Sequence, residues 1–197
     1  MPLGMPKVPY LTPGDEDASW VDLYYRLFHQ RLLFLGQEIN EETSNQIVAM
    51  MVYLNLLNSD EDIYLFINSP GGGAFSGIAI FDTMQLIKAE VQTVCIGLAA
   101  SMASIVLVGG QITKRLAFPH ARVMIHEPRM NSYDAASGKC FEETMEFRIM
   151  YDSMLNIYSE RTGNPSWRIY KDMDSDYYMS PEEARAYGLI DDIAESL

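Results

Sequence analysis

The sequence predicts an α/β fold built on a mostly parallel sheet, and three observations lead to it. Stretches of strand character alternate with helical stretches along most of the chain, and such alternation puts helices between strands that then pair in parallel. Several helical stretches carry recognisable start and stop residues. The 197 residues are 48% hydrophobic, enough to bury a core, so one domain accounts for the length.

Taken in order, the first twenty residues, rich in Pro, Gly and acidic side chains, read as a linker-like segment that is mobile or used for docking. "VDLYYRLFHQ" is amphipathic at helical spacing. "RLLFLG" reads as a strand, and Asn40 is placed to cap a helix through "EETSNQIVAMMVYLNLL". "DIYLFIN" is the next strand, broken by "SPGGGAFSG"; a helix through "IAIFDTMQLIKA" and the strand "VQTVCIG" follow. Ser101 opens a short helix, the connector "GGQITKR" leads to strands "LAF" and "ARVMIH", and a long helix runs through "FEETMEFRIMYDSMLNIYSERTG". Near the end, Ser180, Pro181 and Glu183 supply an N-cap, a first-turn proline and a capping-box glutamate, with Gly188 closing the helix.

Composition narrows the function. A formal charge of −13 disfavours nucleic-acid backbones and anionic lipid surfaces as partners. No apolar run reaches the roughly 20 residues of a membrane helix. The N-terminus has the features of neither a secretory signal nor a transit peptide, so the chain is expected to work where it is made. Cys95 and Cys140 lack metal-ligand spacing and sit in a strand and a helix; a reducing compartment fits them better than a disulfide framework.

"CIGLAASMASIVLVGG" places Ser101 among very small residues. A hydroxyl there either caps a buried helix or is a nucleophile whose small neighbours let a substrate backbone approach. A nucleophile needs a base, and the chain has 3 histidines. His29 reads as a structural residue of an amphipathic helix and His120 as a turn or supporting residue. His126 ends an apolar strand, where α/β folds place their sites; it is a base or a histidine held by a backbone carbonyl. "NSPGGGAFSG" lacks the ending of a phosphate loop and the spacing of a dinucleotide motif. It is either a tight turn or a run of glycines whose N–H groups face outward to hold an oxyanion.

"INSPGGG", "GLAASMAS", "RVMIHEP" and "DYYMSPEEARAYGLID" occur in the order and spacing of the ClpP family, the serine-peptidase subunits of ATP-dependent Clp proteases, which the chain resembles from about Trp20 to Ile193. "MPLGMPKVPY" and "ITKRLAFPHARVMIH" resemble the plastid-encoded branch, which implies the chloroplast stroma. The resemblance implies a ClpP/crotonase-like ββα superhelix over residues 20–197 with a projecting handle helix at about Lys139–Arg161, preceded by a mobile segment 1–19. It implies Ser101 as nucleophile, His126 as general base and Asp176 as the carboxylate that orients it. An oxyanion hole would come from the Gly72 and Met102 N–H groups. No cofactor or metal is implied in this chain.

Partners implied are further copies and related Clp subunits in two stacked seven-membered rings, an AAA+ chaperone that uses ATP, and unfolded polypeptides. A handle stripe of Phe147, Met150, Tyr151, Met154, Ile157 and Tyr158 would pack against the other ring. Glu127 stands where the family usually has glutamine, and the segment from Arg129 to Ser137 lacks the family's glycine-rich start. Asp172, Asp174 and Asp176 alternate on one face of an extended segment, so periodicity cannot choose among them. The resemblance selects Asp176 and leaves the other two as solvated surface carboxylates. Two rival functions are a crotonase-type acyl-CoA enzyme, which should carry glutamates in place of Ser101 and His126, and a non-catalytic scaffold subunit, against which the intact triad argues.

Overall fold

The structure, a computed structural model, describes residues 6–11, 18–128 and 137–194; in the helix that begins at 137, side chains are described from residue 144. Residues 129–136, which hold most of the segment lacking a glycine-rich start, lie outside the described residues.

Strands β1 (Lys7–Tyr10) and β2 (Ser19–Asp22) pair antiparallel and lead into helix α1 (Leu23–His29). Part of the linker-like segment is therefore strand, docked on α1 where Tyr10 stacks on His29 with ring centroids 5.8 Å apart. After β3 (Leu32–Leu35) comes α2 (Glu41–Leu57). Asn40 caps α2, its side-chain oxygen accepting from Thr43 N–H at 2.8 Å. Ser44, Ile47, Met51 and Leu54 are buried at intervals of three and four, which is one face of a helix. In β4 (Ile63–Ser69), Ile63, Leu65 and Ile67 point into the core while the alternate side chains are partly covered or exposed.

The chain continues through α3 (Ala74–Leu86), β5 (Val91–Ala100), α4 (Met102–Val108), β6 (Arg115–Ala117) and β7 (Arg122–Ile125). Then come α5 (Ser137–Thr162), α6 (Ser166–Asp172), β8 (Tyr177–Met179), α7 (Pro181–Tyr187) and β9 (Asp192–Ile193). The main sheet has the order β3-β4-β5-β6-β9, with β7 on β5 and β8 on β7. All its pairings are parallel except β7 with β8. Thr93–Cys95 of β5 pair with β6, whereas Leu98–Ala100 pair with β7. The register of β4 on β5 shifts between Ile67 and Ser69, near this change of partner. Changing neighbours midway brings the C-terminal ends of β5 and β7 together.

Three differences from the sequence reading have physical reasons. α3 begins at Ala74, within the segment read as a break, because Gly77 is helical rather than a breaker. A Cβ on Gly77 would stand 2.6 Å from Met102 Cε, so glycine there lets α3 lie against α4. α6 went unread because it has no side-chain cap and buries only Ile169. The handle stripe is corrected for half its length: Tyr151, Met154 and Tyr158, with Leu155, belong to this chain's own core. α5 there lies on the wholly buried α4, and the Tyr158 hydroxyl pairs with Ser104 Oγ at 2.7 Å. Met145 and Ile149, nearer the start of α5, are the exposed apolar side chains among its described residues.

A buried ionic clamp fixes the end of α5. Arg115 is 4% exposed; it donates to Asp191 from Nε at 2.9 Å and Nη2 at 2.7 Å, and to Arg161 O from Nη1 at 3.1 Å. Arg161 donates in turn to Val108 O and Gly110 O, which joins α5 to the end of α4. Burial alone would raise the Asp191 carboxyl, but the hydrogen bonds from Arg115 outweigh it and hold the carboxyl below its usual range. Its stabilisation is therefore present above the unfolded-state value, about 3.9, and is lost as pH falls through the lower folded value. Arg115→Met strands the carboxylate and is expected to reduce the unfolding free energy in urea by about 3–5 kcal/mol. The urea midpoint of Asp191→Asn should fall less steeply than the parent's as pH drops below about 4.

Candidate active site

Ala100, the last residue of β5, pairs with Met124 of β7, and Ser101 N–H donates to Met124 O at 2.9 Å. The chain then turns sharply: Ser101 has φ 55° and ψ −125°, a left-handed conformation that costs a side-chain-bearing residue about 1–3 kcal/mol and is found at functional sites. Ser101 occupies the N-cap position of α4, yet its side chain makes no capping hydrogen bond. Ser104 holds the turn instead, donating to Ser101 O from its N–H at 2.9 Å and its Oγ at 2.7 Å. The Ser101 hydroxyl is thus not spent on the helix. The sequence reading missed Ser104, although a serine three residues past a helix-opening serine is the signal that finds it.

The glycine turn lies directly on this corner. A Cβ on Gly71, which has φ 95°, would stand 2.6 Å from Ala100 O, 2.8 Å from Ser101 Cβ and 3.0 Å from Met102 N; only glycine admits this approach. Ile39 N–H donates to Gly71 O and Gly73 N–H to Ile39 O, both at 2.8 Å. These two bonds point toward Ile39, so by strand alternation the Gly72 N–H between them points away. It finds no acceptor among the described residues. Met102 N–H, in the first helical position, has no carbonyl of its own helix to bond and also finds none among the described residues. Two uncommitted N–H donors thus flank Ser101.

His126 follows the last residue of β7. Its Nδ1 meets Asp176 Oδ1 at 2.9 Å. With Nδ1–H donated to the carboxylate, Nε2 keeps the lone pair of the neutral ring. Asp176 reaches this place because Tyr177 pairs with Ile125 in the β7–β8 ladder and Glu127 N–H donates to Met173 O at 2.9 Å. Ser101 and His126 thus sit at the ends of neighbouring strands, without a hydrogen bond between their side chains among the described residues.

The other residues weighed in the sequence lie elsewhere. His29 packs among Tyr10, Tyr25 and Phe28. His120 is an exposed turn residue. Asp172 corrects the expectation of a solvated surface carboxylate: it is half-buried and accepts from the Tyr187 hydroxyl at 2.9 Å, with Arg168 Nε 3.6 Å away. The alternation of the three aspartates conceals this, since Asp172 is the last residue of α6, Asp174 lies in the turn that follows, and the chain becomes strand only at Tyr177. Glu127 lines a cleft of about 270 Å³ with Phe147, Arg148, Tyr151 and Tyr170. Cys95 is buried, and that burial pushes its thiol up to about 11. Cys140 falls where side chains are not described.

The model of the Clp protease family matches residues 14–197. A protein of Lotus japonicus named ATP-dependent Clp protease proteolytic subunit is 56% identical over 194 residues, 98% of this chain and 99% of its own length. Its namesakes in Eucalyptus globulus subsp. globulus and Nicotiana tabacum are 55% and 54% identical, with the same coverage.

The geometry separates two aspartates by experiment. Asp176→Asn keeps the shape but reverses the hydrogen bond to His126, and peptide hydrolysis should fall by about 10⁴. Asp174→Asn should change the rate by less than about tenfold, since an exposed carboxylate contributes little. The check is kcat/KM on a fluorogenic peptide, and the reverse order would refute the assignment.

Proposed function

The chain belongs to the Clp protease family, and from that premise we propose that it is a serine endopeptidase with Ser101 as nucleophile, His126 as general base and Asp176 as the group that orients His126. One observation carries the reading. The Ser101 hydroxyl, unused by its helix, stands at a left-handed turn beside two N–H donors without an acceptor among the described residues, at the end of the strand that pairs with the one leading into a histidine paired with a carboxylate.

In the proposed reaction, Ser101 Oγ attacks the scissile carbonyl carbon as its proton passes to His126 Nε2. The carbonyl electron pair moves onto oxygen and is held by the Gly72 and Met102 N–H groups; one such donor is typically worth about 10²–10³ in rate. When the carbonyl re-forms, the C–N bond breaks and His126 returns its proton to the leaving amine. Water then attacks the acyl-enzyme through the same oxyanion, giving a proton to His126 that passes to Ser101 Oγ as it leaves. The Ser101–His126 hydrogen bond forms once substrate occupies the site, since catalytic hydrogen bonds are often unmade or poorly aligned in unliganded centres.

The assembly belongs to the same proposal. The chain works in stacked seven-membered rings with its own copies and related Clp subunits, in the chloroplast stroma. An AAA+ Clp chaperone hydrolyses ATP and feeds it unfolded polypeptide, and this chain needs no cofactor. Leu56 and Leu86 are 78% and 84% exposed, apolar surface of the kind that assembly covers. No helix among the described residues is long and apolar enough to cross a membrane.

A fluorophosphonate probe tests the nucleophile. It should label the assembled parent once per active subunit, and Ser101→Ala should lose the label while keeping its native mass. Equal labelling of Ser101→Ala would overturn the reading. Without chaperone and ATP, the chain should leave a folded substrate intact on a denaturing gel; its robust degradation would contradict the proposed partnership.

A further inference from the structure

We propose that Tyr187 is a positioning residue for the triad: it holds the loop 173–176 at both ends and so sets where Asp176 meets His126. This rests on the catalytic reading of Asp176 given above.

The Asp176 side chain is 40% exposed, so where its carboxylate meets His126 depends on how the backbone on either side of it is held. Loop 173–176 leaves α6 at Asp172 and enters β8 at Tyr177. At the first end, the Tyr187 hydroxyl donates to Asp172 Oδ2 at 2.9 Å. At the other, the Tyr187 ring packs against the Tyr177 ring with centroids 6.2 Å apart. One side chain thus touches the residue on each flank of the loop, and between them Met173 O is tied to the N–H of Glu127, next to His126.

Tyr187 is suited to act as an anchor. It is 3% exposed and sits on α7, which is fixed at its start by the Ser180–Glu183 capping box and at its end by Gly188 at φ 90°. The Arg168 guanidinium lies 4.9 Å over its ring, and Arg168 Nε stands 3.6 Å from the same Asp172 Oδ2 that accepts from Tyr187. Burial and the neighbouring Asp172 carboxylate push the phenol up, so it stays a donor at physiological pH. The mechanism makes no chemical use of this hydroxyl.

A double-mutant cycle separates positioning from ordinary packing. Tyr187→Phe removes only the hydroxyl, and it should lower kcat on a fluorogenic peptide by about 10- to 100-fold with KM unchanged. In an Asp176→Asn background the same change should cost less than about twofold, because the group it positions has gone. Asp172→Ala, a second route to the same lost bond, should reproduce both results, and serves alone if Tyr187→Phe fails to fold. A loss that multiplies equally in both backgrounds, a change confined to KM, or kcat within twofold of the parent would overturn the inference while Asp176→Asn remains crippled. If Asp176→Asn is itself as active as the parent, the catalytic reading falls and this inference falls with it.

Discussion

β5 changes partners halfway along its length, and the site depends on that switch. Its first half pairs with β6 and its last three residues with β7, so the ends of β5 and β7 become neighbours although β7 lies beyond β6 in the chain. Ser101 continues one end and His126 the other. Each strand stops where the next residue is one of the proposed catalytic pair. The left-handed turn at Ser101 is the local cost of stopping a strand and starting α4 with a single connecting residue. That cost is offset by the complete burial of α4 and by the grip of Ser104 on the Ser101 carbonyl.

A second constraint follows from the first. A corner this tight leaves the Met102 N–H without a helical partner, and the glycine turn brings alongside another N–H that finds no acceptor among the described residues. Ile39 takes the hydrogen bonds on either side of Gly72, which fixes the peptide planes and leaves the Gly72 N–H no freedom to rotate toward Ile39. Donors held in this way need no reorganisation when charge develops, which is the property that makes an oxyanion hole effective. The same rigidity explains the glycine at position 71, where any side chain would meet the backbone of the corner itself.

Much of the fold was legible because independent local signals agreed. α2 was read to its observed ends since Asn40, the acidic first turn and the apolar spacing all point the same way. α7 was legible from its capping box and Gly188 alone. α6 gave no such agreement. In the handle, periodicity identified the apolar face but could not say what covers it, and Tyr151, Met154 and Tyr158 proved to be covered from within. Ser101 and His126 stood out by position, one among small residues and the other at a strand end. Asp176 did not, because three aspartates share one alternation. What sets it apart is the pairing of Tyr177 with Ile125, a contact between segments fifty residues apart.

The central claim is that Ser101, Gly72 and Met102 converge on one substrate oxygen. A crystal structure of the assembled protein with a phosphonate bound covalently to Ser101 tests it most directly. The expected result is a phosphoryl oxygen about 2.7–3.1 Å from both the Gly72 and the Met102 nitrogen, with His126 still bonded to Asp176. An adduct at Ser101 whose phosphoryl oxygen points to solvent, with both N–H groups turned to other acceptors, would contradict the account.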